Sequence, residues 1–279
     1  MLKWLKFVFG GIIMKRILFI GAGNMASAIA NGLSKAGIVD DSNVILFDKN
    51  TEQYSKFPST FTIATDIESG IKQADYIFLS VKPQNIKDVL SQIKIDISKK
   101  VFISICAGIT IESIESHFSS IKLVRAMPNT PLLIGQGITA LCKNDNVLNE
   151  EFEFVKSIFS SCGMVTEIDE KDINALTAIT SSSPAYVYLF IKSMYDGAKS
   201  LGFDYENTVE LICKTFIGSA NMVLSSEKTL EEQIAMVKSP NGTTERALNV
   251  LESQNISASI SDAMLACTKR AAELAELNK

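Results

Sequence analysis

The stretch RILFIGAGNMASAIANGLSKAG, Arg16 to Gly37, decides the fold. RILFIG is an unbroken apolar run of strand length, and NMASAIANGLSKAG repeats its apolar residues at helical spacing up to a terminal glycine. Between them, Gly21-x-Gly23-x-x-Ala26 makes the turn. Gly21 permits a tight bend, Gly23 lets a pyrophosphate approach the backbone, and Ala26 allows close contact of helix and strand. Glycine-rich turns also occur in α/β domains that bind nothing. The position of this one, in the first strand–turn–helix unit, is what points to a dinucleotide.

The same alternation runs on to residue 168. NVILFD (43–48), DYIFLSV (75–81), VFISICAG (101–108) and KLVRAM (122–127) read as strands, with helical or polar segments such as NIKDVLSQI and TIESIESHF between them. GITALC (137–142) and MVTEI (164–168) add strands at one edge, around the helix EEFEFVKSIFSS. Strand, helix, strand in succession predicts a Rossmann-like, mostly parallel sheet with helices on both faces, over residues 14–168. After Asp169 no strand run remains. Long segments of 3.6-residue period predict an all-α domain over residues 169–279, in which Pro184 kinks or breaks the first helix. The amount of apolar helix surface predicts burial against a second copy of the chain, although a single-chain bundle would give a similar pattern.

Composition narrows the function. The chain has 279 residues, 47% hydrophobic and 21% charged, enough for a sizeable core. A net charge of −4 and a pI near 5.3 leave no footprint for a nucleic-acid backbone. The five cysteines, Cys106, Cys142, Cys162, Cys213 and Cys267, are dispersed and odd in number. They read as reduced, buried thiols of a cytoplasmic protein. His117 is the only histidine, so a multi-histidine metal site is excluded and proton handling must rest elsewhere. Residues 1–13, MLKWLKFVFGGII, are too short an apolar run to span a bilayer. They read as an extension ahead of Met14, or a misassigned start, rather than an anchor.

Several strand ends carry candidate ligand contacts. Asp48 closes the second strand, where an acid can bind the ribose 2′-hydroxyl and favour NAD; Lys49 beside it could instead attract a 2′-phosphate. A plain turn residue is an equal reading of Asp48. Ser80, Val81, Lys82 and Pro83 turn the chain at the carboxyl end of a later strand, where open α/β sheets bind ligands. Ala107, in ICAGIT, offers small residues against which a nicotinamide can lie. Asn129 and Thr130 stand between two prolines in RAMPNTPLL. Near the C-terminus, KSPNGTT (238–244) starts a helix from Ser239, Gly242, Thr243 and Thr244, with little side chain in front of its free N–H groups. Such a start is an ordinary cap or a cradle for a small anion.

Taken in order, IGAGNMASAI, VKPQ, ICAGIT, RAMPNTP, TSSSPAYVYLF and KSPNGTT resemble the pyrroline-5-carboxylate reductases from Met14 to about Leu274. The resemblance implies reduction of the C=N bond of 1-pyrroline-5-carboxylate to L-proline by NAD(P)H, the last step of proline biosynthesis. NADPH is the expected cofactor, with NADH an alternative. It implies that Gly21, Ala22, Gly23, Asn24 and Met25 meet the pyrophosphate. Val81, Lys82 and Ala107 would face ribose and nicotinamide. Ser239, Gly242, Thr243 and Thr244 would hold the substrate carboxylate, with the Thr244 hydroxyl at the ring nitrogen and Glu170 near the substrate. It also implies a helical domain that intertwines with a partner chain, in a homodimer that can extend to a ring of dimers. Three departures stand out: Ser181-Ser182-Ser183-Pro184 replaces the family's Gly-Ser-Gly-Pro, Asn241 takes a glycine position, and Ile67 replaces an asparagine at the adenosine.

Two other readings compete. A β-hydroxyacid dehydrogenase would use a helical-domain lysine, for which Lys192 and Lys214 can be proposed, though neither lies in that family's motif. A non-catalytic dinucleotide-binding protein is supported only by the three serines before Pro184.

Overall fold

The computed structural model describes residues 15–277; the extension of residues 1–13 lies outside them. Eight strands form one sheet in the order β3-β2-β1-β4-β5-β6-β7-β8. β1 (Ile17–Ile20), β2 (Val44–Phe47), β4 (Tyr76–Leu79), β5 (Val101–Ser104) and β6 (Lys122–Pro128) run parallel, as the alternation predicts. β7 (Gly137–Lys143) is antiparallel to β6. The connection 129–136 is too short for the crossover that a parallel neighbour needs. The chain then crosses through a helix to β8 (Gly163–Glu167), which pairs parallel with β7. β3 (Thr62–Ile63) is a two-residue edge strand on β2, too short to leave a pattern in the sequence.

The strands read as continuous apolar runs because both faces of the sheet are covered. On one face Ile17, Phe19 and Phe78 pack beneath α1 (Asn24–Ala36) and α5 (Asn149–Ser160). The Phe19 and Phe78 rings stack 4.5 Å apart, and Phe159 tilts against Phe78 at 5.9 Å. On the other face Leu18, Ile20 and Ile77 pack against α2 (Ile67–Gln73) and α3 (Ile86–Ser91). Ile67, which departs from the family pattern, is buried there at the start of α2. Full burial of each such side chain contributes about 1.5–3 kcal/mol. α4 (Ile111–Glu115) follows β5 on the same side, and His117 lies just beyond its end.

The chain divides into two compact units. The sheet unit runs to Ser181 and includes the chain from Cys267 onward; Ser182–Ala266 form the helical unit. The short α6 (Ile173–Leu176) and the π turn Thr177–Ser181 belong to the sheet unit, with Ile173 and Ala178 buried. Pro184 breaks the helical pattern: the π turn ends, and α7 (Ser183–Ser200) starts with the proline in its first turn, where no N–H is required.

The helical unit also contains α8 (Thr208–Leu224), α9 (Leu230–Val237) and α10 (Thr243–Ser253), followed by the long α11 (Ile256–Leu277). None of the residues of α7, α9 or α10 is buried, and in α8 only Thr208 and Ile212 are. Tyr188, Leu189, Ile217, Met222, Leu224, Ile234, Met236 and Val250 all stand exposed. A unit with so little core of its own presents a surface that must be covered.

Burial fixes the chemistry of the thiols in the sheet unit. Cys106, Cys142 and Cys162 are free and buried. Burial pushes Cys106 up to about 11 and Cys142 up to about 12; the charge of Glu170 adds to the second shift. In the unfolded chain these thiols ionise near pH 9, so stability that is fully present below that pH is lost as pH rises through the folded values. The urea midpoint is therefore expected to fall between pH 9 and 11, and Cys106→Val with Cys142→Val to flatten that fall. An unchanged slope in the double variant would refute this account.

Candidate active site

The strand order reverses between β1 and β4: from β1 the chain moves out to β2 and β3, then returns to β4 on the other side. A crevice at the carboxyl ends of the strands follows from this reversal. Ser80, at the end of β4, donates through its backbone N–H to Ile20 O at 2.9 Å and through its hydroxyl to Gly21 O at 2.7 Å. Gly21 has φ +99°, and a Cβ there would lie 2.6 Å from Ser80 O. Both the backbone conformation and the close approach demand glycine.

Gly23 is the N-cap of α1 and supplies no side-chain cap; a Cβ at Gly23 would meet nothing within 4 Å. The first N–H groups of α1, at Asn24 and Met25, therefore face open space with the positive end of the helix behind them. Ala22 and Ala26 are buried against the core. The Ala22 N–H donates to Asp48 Oδ2 at 2.7 Å, and the Asn50 N–H donates to Asp48 Oδ1 at 2.8 Å. Asp48 thus braces the glycine turn from the end of β2.

Val81, Lys82 and Pro83 continue from β4, with Lys82 exposed. Beneath them the buried Cys106 thiol donates to Val81 O at 3.3 Å. Ala107 stands exposed on the loop after β5. The structure thus brings the residues predicted for the dinucleotide to the carboxyl ends of β1, β2, β4 and β5. An uncapped helix start, an open approach and a glycine that no other residue can replace fit a pyrophosphate with its two nucleosides.

The second predicted group lies in the helical unit, before α10. Asn241 has φ +58°, the left-handed conformation that asparagine tolerates best among non-glycine residues. The Gly242 N–H closes a turn on Ser239 O at 2.9 Å, and a Cβ on Gly242 would collide with the Ser239 hydroxyl at 2.2 Å. Gly242 caps α10 without a side chain, so here too the first N–H groups are open. Glu245 turns back to accept from the Asn241 N–H at 2.8 Å, with the Lys238 ammonium 3.9 Å from its other oxygen. Thr243 is exposed and Thr244 half-buried.

Glu170, expected near substrate, is committed within the sheet unit. Its Oε1 accepts from Arg125 Nη1 at 2.7 Å and from the Ile111 N–H, at the start of α4, at 2.8 Å. Arg125 is almost fully buried, and its Nε and Nη2 have no partner among the described residues. Asn129, singled out between its prolines, is buried as well. It accepts from the Ile138 N–H at 2.8 Å and donates to Thr180 O in the π turn at 3.0 Å. The Ser181 hydroxyl, at a glycine position of the family pattern, is buried without a partner among the described residues.

Lys192 is tied to Asp196 in an exposed i, i+4 pair at 2.5 Å. His117 Nδ1 sits 3.0 Å from Ser113 O, a local contact at the end of α4. Among the described residues no cluster of His, Cys, Asp and Glu is arranged to hold a metal ion, and no helix is long and apolar enough to cross a membrane. Sequence reasoning missed Arg125 and Lys56. Arg125 opens the RAMPNTP motif without having been singled out in it, Lys56 closes a polar turn, and only their spatial partners give them meaning.

Comparison with known proteins fits this arrangement. Residues 16–108 match the model of NADP oxidoreductases, coenzyme F420-dependent, and residues 170–274 match that of pyrroline-5-carboxylate reductase dimerisation. The chain is 37% identical to the pyrroline-5-carboxylate reductase of Pseudomonas aeruginosa, covering 94% of this chain and 97% of that one. It is 32% identical to pyrroline-5-carboxylate reductase 2 of Bacillus subtilis, with 94% and 96% covered. The solved structure of Plasmodium falciparum pyrroline carboxylate reductase with NADP bound superposes with a TM-score of 0.88 at 33% identity, covering 95% of this chain and all of that one. The chain belongs to the pyrroline-5-carboxylate reductase family.

The Arg125–Glu170 pair yields a test. Glu170→Gln keeps an acceptor for Ile111 but leaves a buried guanidinium without its counter-charge, which is expected to cost about 1–3 kcal/mol in urea unfolding. Arg125→Met combined with Glu170→Gln removes both charges and should be more stable than Glu170→Gln alone. Additive losses in the double variant would show that the two side chains act independently.

Proposed function

We propose that the chain is an NADPH-dependent enzyme that reduces 1-pyrroline-5-carboxylate to L-proline, the last step of proline biosynthesis. The observation that carries the reading is the open, glycine-capped start of α10 in a chain of this family. A small cyclic imino acid bears one carboxylate, and the N–H groups of Thr243 and Thr244 can hold it against the positive helix end, with Gly242 and Ser239 closing the turn in front of them.

The dinucleotide rests on the first turn of α1, with Gly21, Ala22, Gly23, Asn24 and Met25 at the pyrophosphate. Asp48 braces the turn, while Ser80, Val81, Lys82, Pro83 and Ala107 line the ribose and nicotinamide. When bound, the nicotinamide supplies the hydride that adds to the ring carbon of the C=N bond. The protein contributes position. The Thr244 hydroxyl hydrogen-bonds the ring nitrogen and fixes the plane of the ring, with Ser239 shaping the cradle through its contact with Gly242. This chemistry needs no histidine, which agrees with the isolation of His117. Glu170 serves the imino acid from the sheet unit, with its carboxylate held by Arg125 and the Ile111 N–H.

The helical unit pairs with a second copy, and the homodimers assemble further into a ring. The exposed apolar faces of α7, α8 and α9 support the pairing, since obligate interfaces resemble a core cut in half. The enzyme works in the cytoplasm, a reading supported by its odd, dispersed set of free thiols.

Two measurements test this reading. Thr244→Val keeps the shape of the side chain and removes the hydroxyl. A hydrogen bond to a charged partner contributes about 1.5–3 kcal/mol, so kcat/KM for 1-pyrroline-5-carboxylate should fall about ten- to a hundredfold. NADPH binding should hold, because the dinucleotide lies on the sheet unit. A Thr244→Val enzyme with wild-type kcat/KM would reduce Thr244 to a helix-cap neighbour. Sedimentation at low micromolar concentration should show no folded monomer; an active monomer would overturn the pairing.

A further inference from the structure

The 3-10 turn Thr51–Lys56, which follows β2, is tied to α1 at two levels. The Lys56 carbonyl accepts from Ser27 Oγ at 3.2 Å and from Asn31 Nδ2 at 3.3 Å, one turn apart along α1. Its ammonium folds back to the first turn, donating to Asn24 Oδ1 at 2.8 Å and to Gln53 Oε1 at 2.6 Å. Both partners of the ammonium are neutral amides. Among the described residues no carboxylate pairs with it, so its charge is held in place without being neutralised. It stands against the side chain of Asn24, the first residue of α1.

Asp48 faces the other way. Each of its carboxylate oxygens accepts a backbone N–H, from Ala22 and from Asn50. An acid at this position favours NAD when it is free to receive the ribose hydroxyls and repels a 2′-phosphate when its charge is bare. Here two backbone donors offset that charge and draw the carboxylate into the turn.

We propose that Lys56 binds the 2′-phosphate of NADP(H) and sets the preference for NADPH over NADH. The proposal rests on the dinucleotide reading above. The pyrophosphate is served by the N–H groups of α1, and the adenosine ribose lies at the end of β2. A cation on the segment that leaves β2 is therefore placed beyond the ribose, where only the phosphorylated cofactor carries charge. Lysine acts there as a compact point charge, and its two amide partners orient it in advance.

Calorimetric titration of the cofactor-free protein with NADPH, NADH, adenosine 2′,5′-bisphosphate and adenosine 5′-monophosphate tests the assignment. Wild type should bind NADPH more tightly than NADH, and the bisphosphate more tightly than the monophosphate. Lys56→Gln should weaken NADPH and the bisphosphate about tenfold or more, and NADH by less than about twofold. Thermal melting of the variant checks that it is folded; Gly21 is untouched, so the turn itself remains. Equal losses for NADPH and NADH would move Lys56 to the pyrophosphate and overturn the proposal. So would no loss, or a loss confined to Lys49→Gln. A wild-type protein that binds neither NADPH nor the bisphosphate would overturn the dinucleotide reading and this proposal with it.

Discussion

The pairing of β1 with β4 is the constraint on which the rest of the sheet unit depends. It stacks Phe19 on Phe78 in the middle of the core and sets Ile20 beside Leu79 at the carboxyl end. The chain must then turn away from β1 while β4 ends against the same carbonyls. Ser80 closes that gap, and only glycine fits at position 21. Once the turn is fixed, α1 starts with its N–H groups uncapped and directed over the crevice. Packing in the core and exposure at the site are thus consequences of one strand neighbourhood.

The chain uses the same device twice. Gly23 before α1 and Gly242 before α10 both occupy the N-cap, and both omit the side-chain oxygen that would satisfy the first turn. Three α-helices are capped by a side chain: Asp66, Thr110 and Thr229 each accept a backbone N–H at the start of their helices. Glycine at the N-cap in place of a side-chain cap forgoes only a few tenths of a kcal/mol of helix stability. The two glycine-capped starts are the ones to which the family pattern assigns a pyrophosphate and a carboxylate.

The charged interior of the sheet unit follows a different logic. Arg125 is buried with Glu170 as its counter-charge, and the same carboxylate oxygen receives the N–H of Ile111. Such a pair adds little net stability compared with apolar side chains, but it fixes which segments meet. It joins the middle of β6, the start of α4 and the segment that leads from the sheet. Asn129 joins the next stretch to the π turn in the same manner. Among the described residues the ion pairs of the helical unit are exposed or half-exposed, and its apolar faces are left open by a single chain.

The sequence by itself determined seven of the eight strands, the glycine turn, the break at Pro184 and the order of a sheet part before a helical part. These depend on local pattern: apolar runs, 3.6-residue spacing, and glycine or proline where the backbone needs them. It also brought out the resemblance that named the reaction, because KSPNGTT and IGAGNMASAI are contiguous. The tertiary structure decided what depends on distance. Asp48 could be a ribose contact or a turn residue in the sequence; the fold makes it the acceptor for Ala22, twenty-six positions away. The resemblance makes Glu170 a substrate neighbour, and the fold adds its partner Arg125, forty-five positions away. Lys56 carries no signal at all until α1 lies beside it. A local pattern records the backbone geometry that each residue can adopt, whereas a charge takes its role from the groups that folding brings within about 3 Å of it.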